Sequence, residues 1–390
     1  MPHPTEAEEI WRYSRIDDLD LERFSPGTVA GGDVAPSFDE LLGAIGPRAA
    51  TIISVDGRAT LTEVDPGLAA KGVTIGSASQ LPDGGGSFGT VATAVDRFSE
   101  LNTAFAAEPL AIRVPRGVVI ELPIVVLHHI TGDGAAVFPR TLIEAGEASQ
   151  VTVVEHLSSS DVAALVVQVS EIDAAQAANV RHLTVQQLGT RVWHIAYAAS
   201  RVGRDATLQS AAVSLGGEYA RVRTASLLDG QGATSNLLAV YFGDEHQMHD
   251  FRTLQDHDAP KTTSDLLFKG AVEDDAHAVY SGLIRVRKGA KGTNAFQTNR
   301  NLVLSDGAHA DSVPNLEILE NDVKCSHASA VGPIDADQRY YLESRGVPPQ
   351  VAERLIVLGF FDEILERTPV AGLRPLLRDA VATKLDKVLS

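Results

Sequence analysis

The chain has 390 residues, with 51 Asp and Glu against 33 Lys and Arg, a formal net charge of -18 at pH 7. That acid surplus argues against a nucleic-acid-binding protein, because a phosphate backbone selects for basic patches. Apolar residues make up 44% and aromatics 5%, and there is 1 cysteine, so an internal disulfide is excluded and an oxidising compartment is not indicated.

The length suits two or three domains of about 150 residues, or one long repetitive domain with attachments. A bias toward Ala, Val, Leu and Gly suits architectures that stack small and β-branched side chains in narrow layers. No run of about 18 apolar residues occurs; residues 118–127 are interrupted by Glu121 and Pro123. The acidic start, Met1 to Glu9, lacks the basic-then-apolar order of a signal peptide. The expected location is the cytoplasm.

The first hundred residues read as helical and irregular. Thr5 is a good N-cap for a helix over 5–11, with Glu6, Glu8 and Glu9 in its first turn. Segments 37–42 and 95–101 carry helical apolar spacing. Between them, Leu81-Pro82-Asp83-Gly84-Gly85-Gly86-Ser87 reads as a flexible linker. From about Leu110 to Leu319 short alternating or β-branched runs recur, at 111–114, 118–120, 124–127, 151–154, 165–169, 221–223 and 283–286, punctuated by Gly, Asp and Asn. Such a stretch admits a sandwich, a barrel or a parallel β-helix. The β-helix is favoured, because the strands are short, the interior residues small, and regular Asn-Gly hairpin signals absent. Segment 312–319 reads as the last strand.

After Gly332-Pro333 the pattern reverts to helix. One helix fits 335–344, with Gly346 as its stop; Pro348 opens another over 348–358 that ends at Gly359. A third segment, 360–365, closes before Pro369. A final amphipathic stretch, 373–389, carries Lys384 and Lys387 near its end, where cations offset the helix dipole. The expected organisation is a helical or irregular N-terminal domain (1–105), a β-helix core (106–330) and a helical C-terminal domain (331–390).

The sole cysteine lies in Asp322-Val323-Lys324-Cys325-Ser326-His327. A thiol and an imidazole two residues apart share a face if the backbone is extended, and both are plausible soft metal ligands. Two ligands are too few for a cluster, which takes about four, so another molecule must supply the rest. On chemistry alone, Cys-x-His is more often a buried small residue beside a locally bonded histidine. His246, His249 and His257 form a second candidate set for zinc or iron, with His128, His129 and His277 further candidates. Segment 243–258 reads as a strand edge with turns, where these histidines are expected to be exposed. Gly84, Gly86 and Gly89 match GxGxxG, and Gly85-Gly86-Ser87-Phe88-Gly89 matches GxSxG. Both lack the preceding strand those motifs need, so a linker is the better reading. No GxxxxGK[ST] occurs, so the chain should not itself hydrolyse ATP.

Several longer stretches carry more information. They are Asp256-His257-Asp258-Ala259-Pro260, Ser264-Asp265-Leu266-Leu267-Phe268-Lys269-Gly270, and Thr293-Asn294-Ala295-Phe296-Gln297-Thr298-Asn299-Arg300-Asn301-Leu302-Val303-Leu304-Ser305-Asp306. Pro314-Asn315-Leu316-Glu317-Ile318 and Asn321-Asp322-Val323-Lys324-Cys325-Ser326-His327 follow. With these, the chain resembles the SufB/SufD family of iron–sulfur cluster assembly scaffolds, SufD more closely. Tyr341-Leu342-Glu343-Ser344-Arg345-Gly346, Trp11-Arg12-Tyr13 and Val114-Pro115-Arg116-Gly117-Val118 extend the likeness over nearly the full length.

The resemblance implies a right-handed parallel β-helix flanked by helical N- and C-terminal domains. It implies a non-enzymatic subunit of a SufB–SufC–SufD complex. SufC, an ABC-type ATPase, would dock on the C-terminal helices, and SufB would pair through the β-helix. It assigns His327, with Cys325 as second candidate, to a nascent cluster shared with SufB, with no cofactor held tightly by the isolated chain. A homodimer is one candidate form of the isolated chain, and neither nucleic acid nor membrane is an expected partner. The chain departs from the family's usual Cys-Ser-His-Gly-Ala-Thr by reading Cys325-Ser326-His327-Ala328-Ser329-Ala330. The alternatives are a stand-alone metal-dependent enzyme using His246, His249 and His257, or a β-helix carbohydrate-active enzyme.

Overall fold

The structure is a computed structural model that describes residues 1–26, 37–81, 83 and 85–388. From Leu110 to Gly332 the chain winds as a parallel β-solenoid of about eight turns, as expected. Each turn lays one strand in each of two sheets, which among the described residues hold 11 and 10 strands. The first sheet ends in Tyr219–Leu228, Met248–His257, His277–Val286 and His309–Ile318. The second ends in Thr234–Gly243, Thr263–Val272, Asn294–Val303 and Lys324–Gly332.

Register converts alternation into columns. Ile112, Ile143 and Ile172 stand directly over one another, all buried. A period-two strand sends every second residue inward, and parallel in-register pairing stacks those residues into a continuous apolar core. The corners are built by one left-handed residue two positions before successive strands of the second sheet. These are Ala148, Ala177, Asp205, Gly232, Lys261 and Gly292, all with positive φ. For the non-glycine members this conformation costs roughly 1 kcal/mol each. The continuous ladders on either side hold them there.

The first hundred residues are more β-rich than expected. Ala50–Val55 pairs in parallel with Ile124–Ile130 and makes an antiparallel hairpin with Arg58–Val64. Thr74–Ser77 pairs antiparallel with Leu110–Val114. These strands cover one end of the solenoid. The hairpin turns at Asp56-Gly57, both with positive φ, a strong hairpin signal that the reading of helical spacing passed over. The helix expected over 5–11 is only a 3-10 turn, Glu9–Trp11. It is held because Trp11 is buried under the Arg221 guanidinium, 3.7 Å from its ring, while Arg221 donates to the Ile10 carbonyl at 2.6 Å. Arg97–Phe105 is a helix as expected, capped by Asp96, whose carboxylate accepts from the Ser99 amide. Residues 118–120 form no strand, only a bridge from Val119 to Gln150.

The C-terminal region holds Ala336–Ser344, Pro349–Leu365 and Arg374–Val388; residue 389 of the expected last helix lies outside the described residues. Gly359 does not end a helix. It lies inside Pro349–Leu365, whose buried Val357, Leu358, Phe361, Ile364 and Leu365 pack on the solenoid. A mid-helix glycine costs about 1 kcal/mol, less than that burial returns. Two lysines fasten this region to the solenoid. Lys269 donates to the Phe360 carbonyl (2.7 Å) and pairs with Glu363. Lys384 reaches the Leu215 carbonyl (2.7 Å), Gln247 (2.6 Å) and the nearly buried Asp244 (2.7 Å). Removing one member of a buried pair costs about 3 kcal/mol. Lys384→Met is therefore expected to lower the unfolding free energy by roughly that amount, measured by urea denaturation.

Candidate functional site

The run containing Cys325 and His327 does not follow the last strand; it is the last strand, Lys324–Gly332. It is hydrogen-bonded on one side to Asn294–Val303, with Cys325 opposite Ala295 and His327 opposite Gln297. Ala295 and Gln297 are buried members of the inward-facing columns. Cys325 and His327 therefore face the solenoid's interior side, two residues apart on one face. Ala328 is unremarkable in this setting, because it lies in extended strand and has no positive φ.

Inward-facing side chains are normally covered by the next turn, and here no turn follows. Ile284 and Val286 are 0% exposed, whereas their register partners Leu316 and Ile318 are 36% and 42% exposed. Asn301 is 3% exposed and its partner Val331 44%. The solenoid thus presents an uncovered apolar end, on which His327 is exposed and Cys325 half-buried beside Val323, Ile284, Val286, Ala290 and Ala295. Burial pushes the Cys325 thiol above its usual range, with the Ala295 backbone pulling more weakly the other way. The thiol is therefore mostly protonated at neutral pH, and binding metal there must release a proton. Both end strands, His309–Ile318 and Lys324–Gly332, also leave one row of backbone groups outside any ladder. Such edges template further strand pairing.

The other histidines do not converge. Met248–His257 is an inner strand of its sheet, not an edge. His249 and His257 point inward and are buried, contrary to the exposure expected of them, because the solenoid's interior accepts polar groups that find partners. His249 lies 3.2 Å from the Ser214 hydroxyl and 3.1 Å from the Phe242 carbonyl. His257 lies 2.8 Å from Thr262 and 2.9 Å from Ser264. Eight residues of strand separate them by about 26 Å. His246 is an exposed turn residue near Asp275. No shared metal site forms from this trio.

His128 and His129 lie on Ile124–Ile130. His128 approaches the wholly buried Glu155, which also accepts from Thr141 (2.6 Å) and Ser170 (2.9 Å) and lies 2.8 Å from His182. Burial alone would raise the Glu155 pKa, but the His182 hydrogen bond and the electrostatic pull of the His128 and His182 imidazoles outweigh it and hold the carboxyl below its usual range. His277 stands beside His309 and Asp311 on the outer face. Neither Glu155 nor His309 and Asp311 drew notice in the sequence, since their partners come from neighbouring turns about 30 residues away. Around the glycine motifs, Gly84 lies outside the described residues and residues 85–89 are turns with no strand before them. The Gly89 amide donates to Glu171, a structural use.

Residues 128–360 match the family model described as SUF system FeS cluster assembly, SufBD core domain. The chain is similar to an iron–sulfur cluster assembly SufBD family protein of Mycobacterium tuberculosis, 35% identical over 85% of this chain and 83% of that protein. It is also similar to the iron–sulfur cluster assembly protein SufD of Escherichia coli, 29% identical over 98% of this chain and 89% of that one. The SufD of Bacillus subtilis is 29% identical over 74% of this chain and 67% of its own length. Among the described residues, no helix is long and apolar enough to cross a membrane.

Proposed function

Because the chain belongs to the SufB/SufD family of the SUF iron–sulfur cluster assembly system and is most like SufD, we propose that it is a scaffold subunit and not an enzyme. Its cargo is a nascent iron–sulfur cluster built at the uncovered solenoid end. The observation that carries this reading is the placement of His327 and Cys325 on that end, facing inward yet uncovered. Two ligands fall short of the four a cluster takes. A partner with a similar end would cover Leu316, Ile318 and Val331 and complete the ligand set in one step. That partner is a SufB-like subunit, and an isolated chain would use the same end to form a homodimer.

The C-terminal helical region, taken as a domain over 331–390, is the proposed docking surface for a SufC-like ABC ATPase. Tyr340, Tyr341, Val351 and Leu355 are exposed on its helices, an apolar patch of the kind that marks partner surfaces. Lys269 and Lys384 would transmit a pull on these helices into the solenoid walls. ATP-driven closure of the ATPase would then shift the partner interface and open the cluster site.

His327→Ala in the reconstituted complex tests the assignment. Cluster yield, read by visible absorption and iron and sulfide content, is expected to fall at least tenfold while complex assembly on gel filtration is unchanged. Undiminished cluster yield would remove His327 from the site.

A further inference from the structure

We propose that His277, His309 and Asp311 form a second metal site, on the outer face of the solenoid, that binds one divalent first-row metal ion through two imidazoles and one carboxylate. The proposal is independent of the scaffold reading and of Cys325 and His327. Register builds the trio. His277 and His309 open adjacent strands and lie directly opposite each other, and Asp311 lies two residues beyond His309 on the same outward face. The imidazole rings are 5.1 Å apart between centroids. His277 Nε2 is 2.9 Å and His309 Nε2 3.4 Å from the same Asp311 oxygen, Oδ2, and all three donor atoms lie within 4.8 Å of one another.

Those separations have a physical meaning. Ligands about 2.1 Å from a metal ion lie roughly 3.0–3.4 Å apart along the edges of an octahedron or tetrahedron. The two histidine–aspartate spacings match such edges, and a metal ion would take the place of the hydrogen bond between His277 and Asp311 as both rings turn toward it. Two imidazoles and one carboxylate with the remaining positions open to water form the donor set of iron(II) and of open zinc sites. The exposed side of the trio leaves room for those waters.

The surroundings carry the right charge. The turns that lead into these strands are acidic: Asp274 and Asp275 precede His277, and Asp306 precedes His309. Gly307 lies against the Asp275 carboxylate, so the acids of adjacent turns are stacked beside the site. A cluster of like charge raises the local concentration of cations but supplies no geometry. The geometry comes from the two imidazoles, which prefer first-row metals to calcium or magnesium.

Cobalt(II) titration of the full-length chain, followed by visible absorption and by isothermal calorimetry at pH 7.5, tests the proposal. The starting protein is the Cys325→Ser, His327→Ala double variant, which removes the other ligand pair. One equivalent is expected to bind in that background, with ligand-field bands in the visible. His309→Ala and Asp311→Asn are each expected to weaken binding at least tenfold without changing the melting temperature by more than a few degrees. His277→Gln should do the same and guards against an effect of one substitution on folding. Failure to bind one equivalent, or binding that none of the three substitutions weakens, overturns the site. Cluster yield plays no part in this readout, so its failure bears only on the scaffold reading.

Discussion

Leu316→Asp combined with Val331→Asp is expected to abolish binding of a SufB-like partner, with at least a hundredfold loss of affinity by calorimetry. Both residues belong to the inward-facing columns, yet both are substantially exposed because the solenoid ends at their strands and no turn covers them. Covering a branched aliphatic side chain contributes about 1.5–3 kcal/mol when burial is complete. A carboxylate at the same position would instead have to be desolvated by the partner, at several kcal/mol. In the monomer these positions meet water, so at concentrations where the chain is monomeric the double variant should keep its melting temperature within a few degrees. That contrast makes the experiment decisive. Unchanged partner affinity would show that the uncovered end is not the interface.

The second large effect is acid lability. His194 and His257 are pushed down to about 4 and His249 to about 3, in each case first by burial. For His249 the Lys384 charge adds to it. In the unfolded chain a histidine titrates near 6.5. Below that value the unfolded state takes up protons that the folded state refuses, so stability falls as pH drops from 6.5 toward 4. Each such histidine contributes a slope of about 1.4 kcal/mol per pH unit, so three together give about 4 kcal/mol per unit near pH 5. Glu155 acts in a different window. Its depressed pKa adds stability that is present above about 4.5, and that is lost only as pH falls further. Urea denaturation from pH 7 to 4.5 should show the steep loss, and His194→Gln should flatten it by about 1.4 kcal/mol per pH unit. A flat profile across that range would mean that these histidines are protonated or solvated in the folded chain.

How much of this was legible can be seen from particular elements. The strand texture over 110–319 and the helical tail announced a β-rich region with an α-helical attachment, because alternation and helical spacing are local signals; the texture also admitted a sandwich or a barrel, and the long motifs with their family resemblance pointed to the β-helix. The corner device was not legible. Its left-handed position recurs at Ala148, Ala177, Asp205, Gly232, Lys261 and Gly292, and only two of the six are glycine, so no glycine period marks the turns. Gly359 misled in the opposite direction. It carries a local stop signal that packing of Phe361 and Ile364 overrides. The Ala50–Val55 and Arg58–Val64 hairpin carried its Asp56-Gly57 signal in plain view, yet its partner strand lies some 70 residues on.

Cys325 and His327 were found from the sequence because they are close together in it, and because long flanking motifs identify the locus. That they share a face followed from spacing alone. Their position on an open end did not follow, since it depends on which residues lie above Ile284, Val286 and Asn301 and on nothing lying above Leu316, Ile318 and Val331. The His277–His309–Asp311 trio and the Glu155 network were equally hidden, because parallel register places residues about 30 apart side by side. By itself, then, the sequence pointed to the class of fold, the family and a candidate ligand pair, all of which rest on local pattern or contiguous motif. The tertiary structure alone decided burial, the uncovered end and every cluster assembled across turns. Those depend on stacking distance, which a parallel solenoid spreads over whole turns of chain.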